Sequence, residues 1–302
     1  MTKMHENELE IKEHLVHSLI ESQCPQWAHL PLQTIASSGT DNALFRLGNP
    51  YVVRLPRIEW EPGSINKSLN KEYEWLPKIA RFLKIPISEP VFIGHSNQSY
   101  PWPWLVVKWN EGCNPDFEKD NEYGSLAKEL AEFLNDLHKI QLPHGPHSRR
   151  GVSLKKQDEE TRKAISELID EIDVKAVTSL WEQLSTMPAW NKDPVWVHGD
   201  FLPGNILIQD HRLNAVIDFS DVGMGDPACD LIIAWSLLNS HSRKIFRENL
   251  ENIDDDTWER GRGWALSIAL IMLPYYKHSN PVLAALARRM ITNVLSHSRN
   301  ES

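Results

Sequence analysis

Residues Val195–Leu231 read VWVHGDFLPGNILIQDHRLNAVIDFSDVGMGDPACDL and pack His198, Asp200, Asn205, Asp218, Asp226 and Asp230 into one short region. Short apolar runs alternate there with tight polar loops, which reads as strands joined by turns. Asp200 follows the run Val195-Trp196-Val197, just past Gly199, and Asn205 lies five residues further on, at the start of Ile206-Leu207-Ile208. A loop bounded by two adjacent strands brings both residues to one end of a sheet. A turn over Gln209–Asn214 returns the chain along a third strand, Ala215-Val216-Ile217, so Asp218 arrives beside Asn205. Burying a carboxylate costs several kcal/mol unless a cation or hydrogen bonds offset it. Three converging oxygen-bearing side chains are therefore better explained by a magnesium–nucleotide site than by core packing. The chemistry they suit is phosphoryl transfer. One carboxylate accepts a hydroxyl proton, while an amide and a second carboxylate hold Mg²⁺ against the phosphates.

Upstream, Leu9, Leu15, Val16, Leu19 and Ile20 recur at helical spacing over Glu6–Ser22. The segment SSGTDNALFRLGNPYVVRLPR reads as a β-hairpin, with strands at Ala43–Leu47 and Tyr51–Leu55 and a turn at Gly48-Asn49-Pro50. A helix is expected over Asn70–Leu83 and two more strands at Pro90–Ile93 and Trp104–Val107. Composition then shifts at WNEGCNP, Trp109–Pro115, a natural linker. Beyond it Leu126, Leu130, Phe133, Leu134 and Leu137 form an amphipathic stripe. Helices follow at Glu159–Ile172, Lys175–Ser185, Ala228–Leu238, Asp256–Leu273 and Pro281–His297. The fold class is thus α+β and bilobal. A small antiparallel β-rich lobe with one embedded helix spans 1–107, a linker 108–115, and a large helical lobe with the catalytic block 116–302. The cleft between two such lobes is where ligands usually bind.

HGDxxxxN followed by IDFS and GDPACDL resembles the aminoglycoside phosphotransferase family of protein-kinase-like small-molecule kinases, which includes macrolide and choline kinase relatives. HGDFLPGN stands where protein kinases carry H-R-D-x-x-x-x-N, and Asp218-Phe219-Ser220 where they carry D-F-G. The resemblance spans roughly Ile35 to Ser240, with a helical extension of the same kind to the C-terminus. It implies Asp200 as catalytic base and Asn205 and Asp218 as ligands of Mg²⁺. It implies structural roles for His198, Asp226 and Asp230.

Ser37–Asn42, with Ser38, Gly39 and Thr40, is either a cover for phosphates or a plain hairpin turn. Arg54 in YVVRLPR takes the place of the phosphate-contacting lysine of kinase strand three, with Arg57 as the neighbouring alternative. Glu72 is the best ion-pair partner for Arg54, and Glu74 the fallback. The resemblance further implies that Lys108–Asn110 offers backbone groups to the adenine, which places Lys108 and Asn110 among the nucleotide contacts. The donor is ATP or GTP.

The net charge of -9 argues against a nucleic-acid binder, and is compatible either with a cationic small-molecule acceptor or with plain solubility. The N-terminus MTKMHENELEIKEHLVHSLI has the pattern of neither a signal nor a transit peptide. The longest apolar run, Ala265–Leu273, is too short to cross a bilayer. Cys24, Cys113 and Cys229 are widely spaced, without a CxxC pair, which suggests a reducing cytoplasm and no structural zinc. His144 and His147 in HGPH lack carboxylate or cysteine partners and read as solvent-exposed.

Twelve tryptophans is a high count. Trp102 and Trp104 are expected at the lobe junction, while Trp181, Trp190, Trp258 and Trp264 suit either the core or an aromatic acceptor wall. The acidic run Glu251, Asp254, Asp255, Asp256 and Glu259 suits a helix start capped by Asp255 or Asp256, or a face toward a polycation. No GxxxxGK[ST] occurs, and no long activation segment separates Asp218 from Asp226, which disfavours P-loop enzymes and peptide substrates. The chain is expected to be a cytoplasmic monomer or homodimer that phosphorylates a small-molecule hydroxyl. The acceptor is an aminoglycoside-type antibiotic or a related compound. Alternatives are a macrolide, choline-like amine, homoserine or sugar acceptor, or a non-catalytic nucleotide-binding pseudokinase.

Overall fold

The computed structural model describes residues 8–35, 41–119 and 123–300, with side chains through 296. The chain divides into two compact units, one of residues 1–81 and 86–111, the other of residues 82–85 and 112–302.

The first unit contains α1 (Glu13–Gln23), β1 (Leu32–Thr34), β2 (Asn42–Leu47), β3 (Tyr51–Pro56), α2 (Ser64–Ile79), β4 (Pro90–Gly94) and β5 (Trp104–Lys108). Its strands form one antiparallel sheet in the order β1-β2-β3-β5-β4. The hairpin register pairs Phe45 with Val53 and Leu44 with Arg54. Strand periodicity then sorts the side chains between faces. Ala43, Phe45, Leu47, Val53, Leu55, Trp104 and Val106 join Val16, Leu19 and Ile20 of α1 in one core. Val52, Leu105 and Val107 join Ile65 and Leu69 of α2 in the other. Arg54, two residues from Val52, shares that second face. On α2 the buried stripe runs Ile65, Leu69, Glu72, Leu76, Ile79, so the helical period carries a carboxylate into an apolar layer.

Three expectations change here. Among the described residues the N-terminal helix begins at Glu13, while Leu9 N–H donates to the Arg57 carbonyl at 2.8 Å and residues 8–12 are not helical; Glu6 lies outside the described residues. Helix α2 begins at Ser64, not Asn70. Gly63 turns the chain at φ 79° and its N–H donates to Glu59 Oε1 at 3.0 Å. Trp104 lies in the core of this unit against Phe92 rather than at a junction. A Cβ at Gly94 would sit 2.0 Å from its ring.

The second unit contains α3 (Gly124–His138), α4 (Asp158–Glu167), α5 (Val174–Ser185), β6 (Val195–Val197), β7 (Ile206–Gln209), β8 (Arg212–Val216), β9 (Gly223–Gly225), α6 (Ile233–Ser236), α7 (Ser240–Asn249), α8 (Asp255–Tyr276) and α9 (Pro281–Asn300). The turn between β7 and β8 is only Asp210-His211, at φ 51° and 63°. Both residues are left-handed, as a tight hairpin requires, so β8 starts at Arg212 instead of after Asn214. A 3₁₀ turn over Pro227–Ile232 and the short α6 replace the single helix expected at Ala228–Leu238. The asparagine-capped α7 is an element the periodicity did not reveal; Ser242 N–H donates to Asn239 Oδ1 at 2.9 Å.

Trp181, Trp258 and Trp264 are buried, and Trp181 Nε1 donates to Asp158 Oδ1 at 2.8 Å. They belong to the core and not to an acceptor wall; Trp190 is half-buried. The acidic run is structural. Asp254, rather than Asp255 or Asp256, caps α8, accepting from Thr257 N–H at 2.9 Å. Glu251, Asp255 and Glu259 pair with Lys139, Arg247 and Arg262. His144 and His147 are exposed. No helix among the described residues is long and apolar enough to cross a membrane.

Candidate active site

HGDFLPGN occupies the link between β6 and β7, within the second unit. Its backbone is clamped from below by the fully buried Asp230, whose carboxylate accepts from His198 N–H at 2.9 Å and Gly199 N–H at 2.8 Å. His138 Nε2 approaches the same carboxylate at 3.3 Å. The His198 ring spans the loop. Its Nδ1 accepts from Asp200 N–H at 3.1 Å, which leaves Nε2 to donate to the Ile217 carbonyl at 3.0 Å. The ring packs on Phe219 with centroids 4.3 Å apart. Gly199 sits at φ 82°, and a Cβ there would meet Asp221 at 2.8 Å, so only glycine fits between His198 and Asp200.

These contacts present Asp200 half-buried at the loop's open edge. Asn205 Nδ2 donates to the Asp200 carbonyl at 2.8 Å and to Asp200 Oδ2 at 3.0 Å. Ile217 N–H donates to the Asn205 carbonyl at 2.9 Å, so Asp218 follows directly beside Asn205. Asp218 holds φ 58°, a conformation uncommon for a residue with a Cβ and concentrated where side chains must be aimed. The structure therefore brings Asp200, Asn205 and Asp218 together. Asp226 sits deeper. It accepts from Arg260 Nε at 2.7 Å and Nη2 at 3.2 Å, and caps the following turn through Ala228 N–H at 3.0 Å.

Arg150, fifty residues upstream of Asp200, was not among the residues the sequence singled out. Its Nη1 donates to Asp200 Oδ1 and, at 3.1 Å, to the Gly199 carbonyl. Asp221 Oδ2 lies 3.9 Å from its Nε and 3.4 Å from Arg149 Nε. Burial pushes the Asp200 carboxyl up, but the Arg150 charge beside it and hydrogen bonds from Arg150 and Asn205 hold it below the usual carboxylate range. The only local hint of Arg150 is the basic pair in SRRG. Nothing in that motif says which carboxylate it meets.

In the first unit, Arg54 Nη2 lies 2.6 Å from both Oε1 and Oε2 of Glu72. Glu74 pairs instead with Lys78 on the exposed face of α2, and Arg57 approaches Glu8 at 3.9 Å. Lys108 is exposed, its Nζ 2.7 Å from Glu89 Oε2, and its N–H donates to the Glu89 carbonyl at 2.9 Å. Trp109 N–H donates to the Pro50 carbonyl and Asn110 Nδ2 to the Ile87 carbonyl. Two linker amides are therefore already committed within this unit. Ser38, Gly39 and Thr40 lie outside the described residues.

The donor set at Asn205 and Asp218 fits Mg²⁺. An amide oxygen and a carboxylate are hard ligands, and Asn205 Nδ2 is engaged with Asp200, which leaves its oxygen for a cation. Among the described residues no group of three or more His, Cys, Asp or Glu side chains could hold a metal ion by itself.

A model of the phosphotransferase enzyme family (APH) matches residues 33–264. An aminoglycoside 3'-phosphotransferase of Escherichia coli is 26% identical over 229 residues, covering 73% of this chain and 80% of that protein. One of Salmonella typhimurium is 26% identical over 191 residues, covering 61% and 68%. Among solved structures, the GDP and kanamycin complex of APH(2")-IIia aligns at TM-score 0.71 and 19% identity over 96% of this chain and all 100% of that one. Macrolide 2'-phosphotransferase MphH from Brachybacterium faecium aligns at TM-score 0.62 and 17% identity over 92% and 97%.

Proposed function

We propose that this chain, which belongs to the phosphotransferase enzyme family, transfers the γ-phosphate of ATP or GTP to a hydroxyl of an aminoglycoside-type antibiotic or a related small molecule. The observation that carries the reading is the Asp200–Asn205 hydrogen bond with Asp218 delivered beside it by the Ile217–Asn205 bond. The relatives support the acceptor class, since the curated matches are aminoglycoside 3'-phosphotransferases.

In this reading Asp200 takes the proton of the acceptor hydroxyl as that oxygen attacks the γ-phosphorus. A phosphate ester forms, the bond to the leaving diphosphate breaks, and the proton stays on the carboxylate until it passes to solvent. Both Asp200 oxygens already accept a donor, and a carboxylate offers about four lone-pair sites, so a third donor can be accommodated. Asn205 and Asp218 would hold Mg²⁺, which when bound offsets charge on the phosphate oxygens. The Arg54–Glu72 pair would present a cation to the nucleotide phosphates, and Ser38, Gly39 and Thr40 would cover them. Lys108 and Asn110 would offer their remaining backbone groups to the base. Residues 1–107 would form the nucleotide-side lobe, 108–115 the linker, and 116–302 the lobe carrying the base, with α4 and α5 supplying acceptor contacts. The three free cysteines suit a cytoplasmic setting.

The test is phosphate transfer by purified protein with Mg·ATP and Mg·GTP against kanamycin, gentamicin, a macrolide and small alcohols including choline and homoserine. Transfer to an aminoglycoside, reduced roughly 10²–10⁴-fold in Asp200→Asn, is the expected result. Transfer only to another acceptor would overturn the acceptor class. Nucleotide binding without transfer to any of them would favour a regulatory pseudokinase.

A further inference from the structure

The loop HGDFLPGN contains no lysine or arginine. Transfer of a phosphoryl group develops charge on its oxygens, and a fixed cation aimed there is among the largest catalytic effects available. The segment Pro146–Gly151 delivers one from outside the loop.

That segment is attached to β9 by backbone bonds. Met224 N–H donates to the Pro146 carbonyl at 2.7 Å, Ser148 N–H to the Met224 carbonyl at 3.1 Å, and Asp226 N–H to the Gly151 carbonyl at 3.0 Å. Glycines make the approach possible. A Cβ at Gly225 would lie 2.3 Å from the Gly151 carbonyl oxygen, and one at Gly223 2.4 Å from Ser148 N. Ser148 Oγ then accepts from Gly151 N–H at 3.1 Å and closes a tight turn around Arg149 and Arg150. Such close backbone packing fixes where Arg150 emerges.

Its side chain is 23% exposed, and Nη1 is engaged by the Gly199 carbonyl and Asp200 Oδ1. Nη2 has no hydrogen-bond partner among the described residues, although a guanidinium carries five N–H donors. The acceptor hydroxyl must sit about 2.6–3.2 Å from the base and about 3–3.5 Å from the phosphorus. A guanidinium bonded to the base is therefore one group away from the transferred phosphoryl.

We propose that Arg150 is a catalytic residue: seated on the Gly199 carbonyl and the Asp200 carboxylate, it contacts the transferred phosphoryl group through Nη2 and supplies the positive charge that HGDFLPGN lacks. The assignment rests on the phosphotransfer reading above.

The test uses binding rather than turnover. Wild type, Arg150→Lys and Arg150→Gln are titrated with Mg·ADP and Mg·GDP, with and without aluminium fluoride, which mimics the phosphoryl group in transfer, and their melting temperatures are recorded. Wild type should bind the diphosphate at least about tenfold more tightly with fluoride present. Arg150→Gln, which can still donate to the Gly199 carbonyl, should lose most of that gain while keeping diphosphate affinity within about twofold. Arg150→Lys should keep part of it. A full gain in Arg150→Gln, or wild type binding diphosphate with no gain, overturns the role of Arg150. So does an equal loss of diphosphate affinity and melting temperature in both variants, which marks a structural arginine. Wild type binding neither diphosphate overturns the functional reading itself.

Discussion

The Arg54 guanidinium places Nη2 2.6 Å from each carboxylate oxygen of Glu72, and the two residues are only 7% and 1% exposed. Both groups sit in the apolar layer between the sheet and α2. Removing one partner leaves the other charge in that layer, which costs about 3–5 kcal/mol. Glu72→Leu should lower stability by that order in chemical denaturation. Arg54→Met combined with Glu72→Leu should recover most of it, since two apolar residues can replace a buried pair at little cost. If the pair also presents Arg54 to phosphate, the double variant will fold well yet raise the nucleotide KM more than about tenfold. Good folding with an unchanged KM would make the pair purely structural.

Asp200→Asn keeps the size of the side chain but cannot accept a proton, and it turns one of the two oxygens that accept from Arg150 and Asn205 into a donor. With an acceptor in hand, kcat should fall by roughly 10²–10⁴-fold while diphosphate affinity holds. Near wild-type turnover would remove Asp200 from the role of base.

Asp218→Ala takes away the proposed oxygen ligand and leaves an alanine at φ 58°, where its Cβ is no easier to accommodate than that of aspartate. The apoprotein should melt within a few degrees of wild type. The additional thermal stabilisation by Mg²⁺ over nucleotide alone should disappear. An undiminished Mg²⁺-dependent shift would assign the metal elsewhere.

Asp254 reports on acid stability. A hydrogen bond from the Thr257 hydroxyl lowers its pKa, burial opposes it, and the Thr257 N–H and Lys192 lower it further, to about 2 from the ordinary 3.8. A folded pKa below the unfolded one gives stability that is present above about pH 4 and is lost as pH falls toward about 2. Asp254→Asn retains a good cap without titrating in that window. The stability difference between wild type and Asp254→Asn, measured by urea melts, should shift in favour of the variant between pH 5 and pH 2.5. Asp254→Ala should cost about 0.5–2 kcal/mol at pH 7. A pH-independent difference would contradict the cap assignment.

Local pattern made much of this molecule legible before any coordinates. Alternation over Ala43–Leu47 and Tyr51–Leu55 implied the hairpin, and the spacing of HGDFLPGN and IDFS implied that Asp200, Asn205 and Asp218 would meet, because neighbouring strands leave few places for the residues between them. The pairing of Glu72 with Arg54 follows from the kinase-like pattern, whereas the stripe Ile65, Leu69, Leu76 and Ile79 that turns Glu72 inward emerges only in the structure, since the helix expected from the sequence starts at Asn70. Other features needed the tertiary structure. Whether Asp254, Asp255 or Asp256 caps α8 depends on where the backbone leaves its extended conformation, and neighbouring contacts set that point within a run of equivalent acids. That Arg150 reaches Asp200 depends on glycines at 223 and 225 admitting a segment from some seventy residues upstream. Periodicity fixes the face a side chain shows within its own element. Which distant segment meets that face is settled by backbone hydrogen bonds and close packing, and these leave no trace in local spacing.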